Sequence, residues 1–284
     1  MSLTSQTVVV TGASRGIGAA AARALHARGA TVALLGRDKA ALADVTAELG
    51  SRAAWFVADV TDSESTAAAA KQVLDRFGQV DSLVVNAGLN LPGTVRSPAA
   101  DQTFATIIET NLIGSYRTLH AFWPALEASK GYILLMSSIA SSVGLGGQTA
   151  YAASKAGIES MAHTLRMETA HLGVTIGAVH PWFADTALLH TGEAAMPTFA
   201  QTRKRLAPFG RIPGPVGLIG LTLSPEEIGE VMADMVEKRA RKRHVPRSSG
   251  WMNTGRPVLN SGYGEFVQQA IFGWMMKRID KETR

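Results

Sequence analysis

The chain of 284 residues has no cysteine, which excludes disulfides and thiolate chemistry. A cytoplasmic setting is compatible with that and is the location expected. No apolar run approaches the ~20 residues of a membrane span. The start, Met1 to Thr7, is polar and lacks the regions of a signal peptide. The body has no cationic surplus: residues 1–237 carry 17 Lys and Arg against 20 Asp and Glu, while residues 238–284 carry 11 against 3. The net charge of +5 therefore belongs to the tail. A nucleic-acid enzyme spreads cations over a groove, so nucleic acid is not an expected partner. No repeat or linker is visible, and no metal ligand set is assigned. With 46% hydrophobic residues the chain can bury a large core.

The stretch Tyr151-Ala-Ala-Ser-Lys155 opens a long helical pattern, Ala152 to His171. Positions four apart share a helix face, so Tyr151 and Lys155 point the same way. A tyrosine titrates near ~10 in water, and a lysine cation beside it favours the phenolate. The expectation is a Tyr151 pKa lowered toward neutrality, making it a proton donor and acceptor.

Upstream, Thr7 to Val10 is a buried strand candidate. Thr11-Gly-Ala-Ser-Arg-Gly-Ile-Gly18 follows, then an alanine-rich helix to about Arg28. Glycines at 12, 16 and 18 between strand and helix let backbone approach a phosphate, which then faces free N–H groups. The second strand, Thr31 to Leu35, ends at Gly36-Arg37-Asp38. An acidic residue for ribose hydroxyls is missing at Gly36; Arg37, with Arg15 from the other side, suits a 2′-phosphate. Asp38 reads as the cap of the helix Lys39 to Leu49.

Further strands are read at 53–57, 81–85, 131–136 and 174–179, with helices at 63–77 and about 101–128. Six strands alternating with helices give an α/β fold, a doubly wound parallel sheet. A seventh strand is expected at Arg243 to Pro246 after a helix at Pro225 to Arg239. Thr11, Arg37, Asp59, Asn86, Ser138 and Pro181 each follow a strand, where such sheets bind ligands. Small residues at Asn86-Ala-Gly88 let the chain pass under an adenine and ribose. Asn111 falls inside a helical pattern that disfavours it, so its burial would signal a purpose.

TGASRGIG, Asp59, Asn86 to Gly88, Asn111, Ser138, Tyr151 and Lys155 together resemble the short-chain dehydrogenase/reductase family over about residues 5–186. The resemblance implies a Rossmann fold and an NAD(P)-dependent oxidoreductase. It implies that Gly12, Ser14, Arg15, Gly16, Ile17 and Gly18, with Asp59 and Val60, hold the adenosine half of the cofactor. Asn86, Ala87 and Gly88 support the adenosine pocket, and Arg37 selects NADP over NAD. Ser138 donates to the substrate carbonyl, and Tyr151 is the general acid in reduction and the base in oxidation. Lys155 binds the nicotinamide ribose, and Asn111 helps hold a proton-relaying water. Pro181 and Thr186 contact the nicotinamide end. The family usually has glycine after that proline; here Trp182 either lies over the substrate or packs in the core.

The expected substrate is a ketone, aldehyde or secondary alcohol, bulky and apolar; the competing class is a catalytically idle dinucleotide sensor or interaction protein. The expected layout is one domain, 1–284, with a substrate lid at 187–224 and a C-terminal extension at 247–284. The resemblance also implies a homodimer or homotetramer. Residues 263–282 read as an amphipathic helix bearing Phe266, Val267, Ala270, Ile271, Trp274, Met275 and Ile279. Three destinations are open to it: its own core or a neighbouring subunit, the active-site mouth, or a membrane surface.

Overall fold

A computed structural model describes residues 2–143, 146–207, 221–250, 261, 273 and 276–282. Residues 208–220 of the expected lid, and Phe266, Val267, Ala270, Ile271, Trp274 and Met275, lie outside them. The strands are β1 (Thr7–Thr11), β2 (Thr31–Gly36), β3 (Ala53–Val57), β4 (Ser82–Val85), β5 (Tyr132–Met136), β6 (Thr175–Pro181) and β7 (Lys242–Val245). They form one parallel sheet in the order β3-β2-β1-β4-β5-β6-β7. The principal helices are α1 (Gly16–Ala27), α2 (Lys39–Leu49), α3 (Ser63–Phe77), α4 (Ala100–Ile108), α5 (Gly114–Ala128), α6 (Thr149–Glu168), α7 (Ala187–Ala195), α8 (Pro197–Leu206) and α9 (Pro225–Lys238).

A parallel sheet covered on both faces reads as continuous apolar runs, and β1 and β5 are buried at every residue. Alternation along each strand sorts the side chains into two cores. Val8, Val10, Leu34 and Leu134 face α1 and α9; Val9, Leu35, Leu83 and Leu135 face α3, α5 and α6. Local signals set the helix starts. Asp38 accepts from Ala41 N at 3.1 Å, as expected of a cap, and Asp62 caps α3. Ser224 and Glu227 form a reciprocal capping box on α9, with Pro225 in its first turn.

The single helix expected at 101–128 is divided. Glu109–Ile113 forms a π-helical turn between α4 and α5. Such a turn inserts one residue and is characteristic of functional sites. Gly114 fits against Val60, where an added Cβ would lie 2.9 Å from the Val60 carbonyl oxygen. Among the described residues no helix is long and apolar enough to cross a membrane.

Candidate active site

The sheet changes direction of winding between β1 and β4, and their carboxyl ends open into a cleft of about 750 Å³. Ligands of such sheets bind at this position. Gly12 and Gly16 adopt φ of +65° and +55°, a region that side chains disfavour. A Cβ on Gly18 would collide with the Gly12 carbonyl and come within 2.6 Å of Asn86 Nδ2. The turn is fixed from below: Asn86 N and Ala87 N donate to Thr11 Oγ1 at 3.0 and 3.1 Å, and Asn86 Nδ2 donates to Thr11 O at 2.9 Å. No side chain caps α1 and its first turn has no acid, so its amides and dipole favour an anion.

Ser14, Arg15, Ile17, Arg37, Asp59, Val60 and Gly88 also line the cleft. Arg15 lies 3.5 Å from Asp38 and Arg37 lies 3.7 Å from Asp59. With the arginines 70% and 73% exposed, these pairs are weak and leave both guanidinium groups available. Burial raises the Asp59 carboxyl, but hydrogen bonds from Thr61 and the Arg37 cation outweigh it and hold the group below its ordinary range. Glycine backbone and open amides fit the pyrophosphate of a dinucleotide.

At the other end, Ser138 follows β5 in extended conformation, its Oγ accepting from Ala140 N at 3.2 Å. Ser138 and Tyr151 both line the cleft, and the serine hydroxyl opposes the upward shift of the Tyr151 phenol. Tyr151 sits in the first turn of α6, and Lys155 Nζ lies 5.6 Å from its ring centre. Lys155 is only 4% exposed and donates to Met136 O at 2.8 Å. Burial lowers its pKa to about 8. Burial also raises the Tyr151 phenol above its ordinary value, against the opposing Ser138 hydroxyl. The direction is opposite to the one expected, because desolvation exceeds what the described partners return.

Asn111 is buried inside the π-helical turn. Its Oδ1 accepts from Leu89 N and its Nδ2 donates to Leu89 O, both at 2.8 Å. Nδ2 also donates to Ser154 Oγ at 3.1 Å, and that hydroxyl donates to Tyr151 O at 2.7 Å. Asn111 thereby joins the loop after β4 to the first turn of α6. Pro181 ends β6, and Thr186 stands over the glycine turn, its Cγ2 3.4 Å from where a Gly16 Cβ would lie. Trp182 packs in the core, edge-on to Phe183 at 5.4 Å, and also lines the cleft.

Sequence reading missed a charged network beneath Ser138. Ser141 Oγ lies 2.8 Å from Ser138 O and 2.7 Å from Glu159 Oε2. Lys242 pairs with Glu159, and His180 Nδ1 lies 3.5 Å from Ser141 Oγ. Burial raises the Glu159 carboxyl, but Lys242, His180 and Ser141 pull it well below its ordinary range. Burial holds His180 down, to about 4. The available signal was spacing: Glu159 follows Lys155 by four residues and so shares its helix face. Among the described residues no cluster of His, Asp and Glu is arranged to hold a metal.

The short chain dehydrogenase family model matches residues 6–196. Cis-4-hydroxycyclohexanecarboxylate dehydrogenase of Sinomonas cyclohexanicum is 36% identical over 237 residues, covering 82% of this chain and 89% of that protein. The 3-oxoacyl-(acyl-carrier-protein) reductase FabG of Escherichia coli (strain K12) is 35% identical over 187 residues, 66% of this chain and 76% of that protein. The alcohol dehydrogenase from Thermococcus sibiricus, solved in complex with 5-hydroxy-NADP, superposes with a TM-score of 0.70 at 29% identity, covering 84% of this chain and 94% of that one. A family match over most of the length, reinforced by dehydrogenase and reductase relatives, places the chain in the short-chain dehydrogenase family as an NAD(P)-dependent oxidoreductase.

Proposed function

We propose that the protein transfers a hydride between NADP(H) and an apolar ketone, aldehyde or secondary alcohol. The observation that carries this reading is that Ser138, Tyr151 and Lys155 line the same cleft as the glycine turn. The nicotinamide supplies or accepts the hydride. The chain's own residues manage the charge that results. Hydride arrival at a carbonyl leaves an alkoxide, which needs donors placed where the charge develops. Ser138 Oγ and Tyr151 OH are those donors. A phenol above its ordinary pKa is protonated at neutral pH and ready to donate. In the reverse direction Tyr151 is the base, and the Lys155 cation, one helical turn away, stabilises the phenolate. Asn111 fixes the Tyr151 backbone through Ser154.

Arg15 and Arg37 support NADP over NAD, since no acid stands at Gly36 to hold a bare ribose. Trp182, Phe183, Leu188, Leu189, Met196 and Phe199 line the cleft and favour an apolar substrate body. The hydroxycyclohexanecarboxylate relative supports an alcohol carbon within or near a ring. Residues 187–207 act as the lid in this reading. The test is NADPH oxidation with carbonyls graded by size, for wild type and Tyr151→Phe. The variant is expected to lose at least ~100-fold in kcat while keeping its Kd for NADPH. Equal turnover by the variant would remove Tyr151 from the chemistry.

A further inference from the structure

Residues 276–282 are helical and grip three separate parts of the active-site rim. Asp280 accepts from Thr94 Oγ1 at 3.0 Å and from Arg96 at 3.1 Å, in the loop after β4. Glu282 accepts from Thr198 N at 3.1 Å and also from the Thr198 hydroxyl. Thr198 is in the first turn of α8, whose own cap residue, Met196, has no side chain able to accept. Glu282 therefore supplies both a missing cap and the negative charge that a helix N-terminus favours. Next to Asp280, Ile279 is fully buried against Met196.

The seat for this segment lies just before Tyr151. Met276 occupies the space in which a Gly146 side chain would stand, and Met196 and Ile279 occupy the space over Gly147. A Cβ on Gly147 would come within 2.7 Å of Met196 Sδ and 3.4 Å of Ile279 Cγ2. The glycine pair admits the clasp because it carries no side chains. Gly93 N donates to Gly147 O at 2.8 Å, so the loop after β4 is joined to the same seat. Met196 and Phe199 are cleft residues, and Ile279 and Met276 pack behind them.

We infer that segment 276–282 is a specificity-determining clasp: it holds α8 against the Gly146–Gly147 seat and so sets how far a substrate can extend from the reacting carbonyl. The inference rests on the hydride-transfer reading above. Ile279 stands behind the cleft wall, so shortening it lets Met196 retreat and lengthens the apolar end. Excluding or admitting one methylene in such a pocket is worth about 10–200-fold in kcat/KM.

The experiment uses the full-length protein, with Ile279→Ala and the double variant Asp280→Ala/Glu282→Ala. Hydrogen exchange is followed at 93–97 and 197–206, and kcat/KM is measured for straight-chain ketones of increasing length with NADPH. The double variant is expected to exchange at least ~10-fold faster in both segments, with β1 to β5 unchanged. Ile279→Ala is expected to raise the long-to-short ratio of kcat/KM about 10-fold, leaving Kd for NADPH unchanged. Unchanged exchange in the double variant overturns the clasp. Faster exchange with an unaltered length ratio in both variants overturns its part in specificity. A wild type inactive on every carbonyl fails the hydride-transfer reading and the specificity claim built on it, while exchange still tests the clasp.

Discussion

Lys155→Met gives the most direct measure of what the catalytic floor costs the fold. Burial takes this lysine from its ordinary 10.5 to about 8, with one hydrogen bond to Met136 O at 2.8 Å. At about 1.36 kcal/mol per pH unit, holding the cation there costs roughly 3 kcal/mol. The sign follows from counting protons. Below about pH 8 both folded and unfolded chains carry the proton, and the cost is present in full. Between about 8 and 10.5 the unfolded chain keeps a proton that the folded one has released, so stability rises with pH. Above 10.5 neither form carries it and the cost is gone. Methionine removes this titration. In urea melts without dinucleotide, the wild-type unfolding free energy minus that of the variant should climb by roughly 3 kcal/mol from about pH 7 to about 10.5. Near pH 7 the variant should match wild type within about 2 kcal/mol, because an unpaired Met136 carbonyl offsets part of the gain. Turnover should fall at the same time, a stability–activity trade-off. A difference that stays flat across the range refutes the buried charge.

Arg37→Ala should raise Kd for NADPH about tenfold and leave Kd for NADH unchanged; titration with both dinucleotides reads this directly. Glu159→Gln should cost about 1–3 kcal/mol at neutral pH. Because the folded pKa of Glu159 is depressed, its contribution is complete above the ordinary value of 4.5 and fades as pH falls below it. The variant's acid unfolding curve should therefore be flatter than wild type's, and its kcat lower through a loosened Ser138. A homo-oligomer is proposed through the face bearing Phe104, Ile113, Tyr116 and Met167, all exposed apolar side chains. Light scattering that returns a monomer at micromolar concentration would remove it.

Much of the fold was legible because its signals are local. β-branched runs gave the strands, Asp38 gave a helix start, and the glycine spacing gave the turn that the structure builds from Gly12 and Gly16. The face shared by Tyr151 and Lys155 followed from helix period alone. The π-helical turn was not legible, because one inserted residue leaves an apolar pattern that still reads as helix. The Tyr151 shift was misjudged for a different reason: sequence names the neighbouring cation but not how much water burial removes. The Glu159 network depends on residues from β6, β7 and the turn after β5, which only the folded sheet brings together. Of the tail's three possible destinations, sequence could not choose; the contacts of Ile279, Asp280 and Glu282 place residues 276–282 on the active-site rim.

The neighbouring positions of β1 and β4 also have a consequence in time. The Thr7 amide bonds Asp81, 74 residues later, across three intervening strand-helix units' worth of chain. Closing such a loop is entropically slower than forming the β1–β2 and β2–β3 pairs, which are nearer in sequence. The Asn86 and Ala87 bonds that fix the glycine turn therefore form only with this longer closure. Before that closure one edge of β1 is an unpaired strand edge, open to association with other chains. Phosphate recognition and proton handling thus share one dependence: both are complete only when β4 lies beside β1.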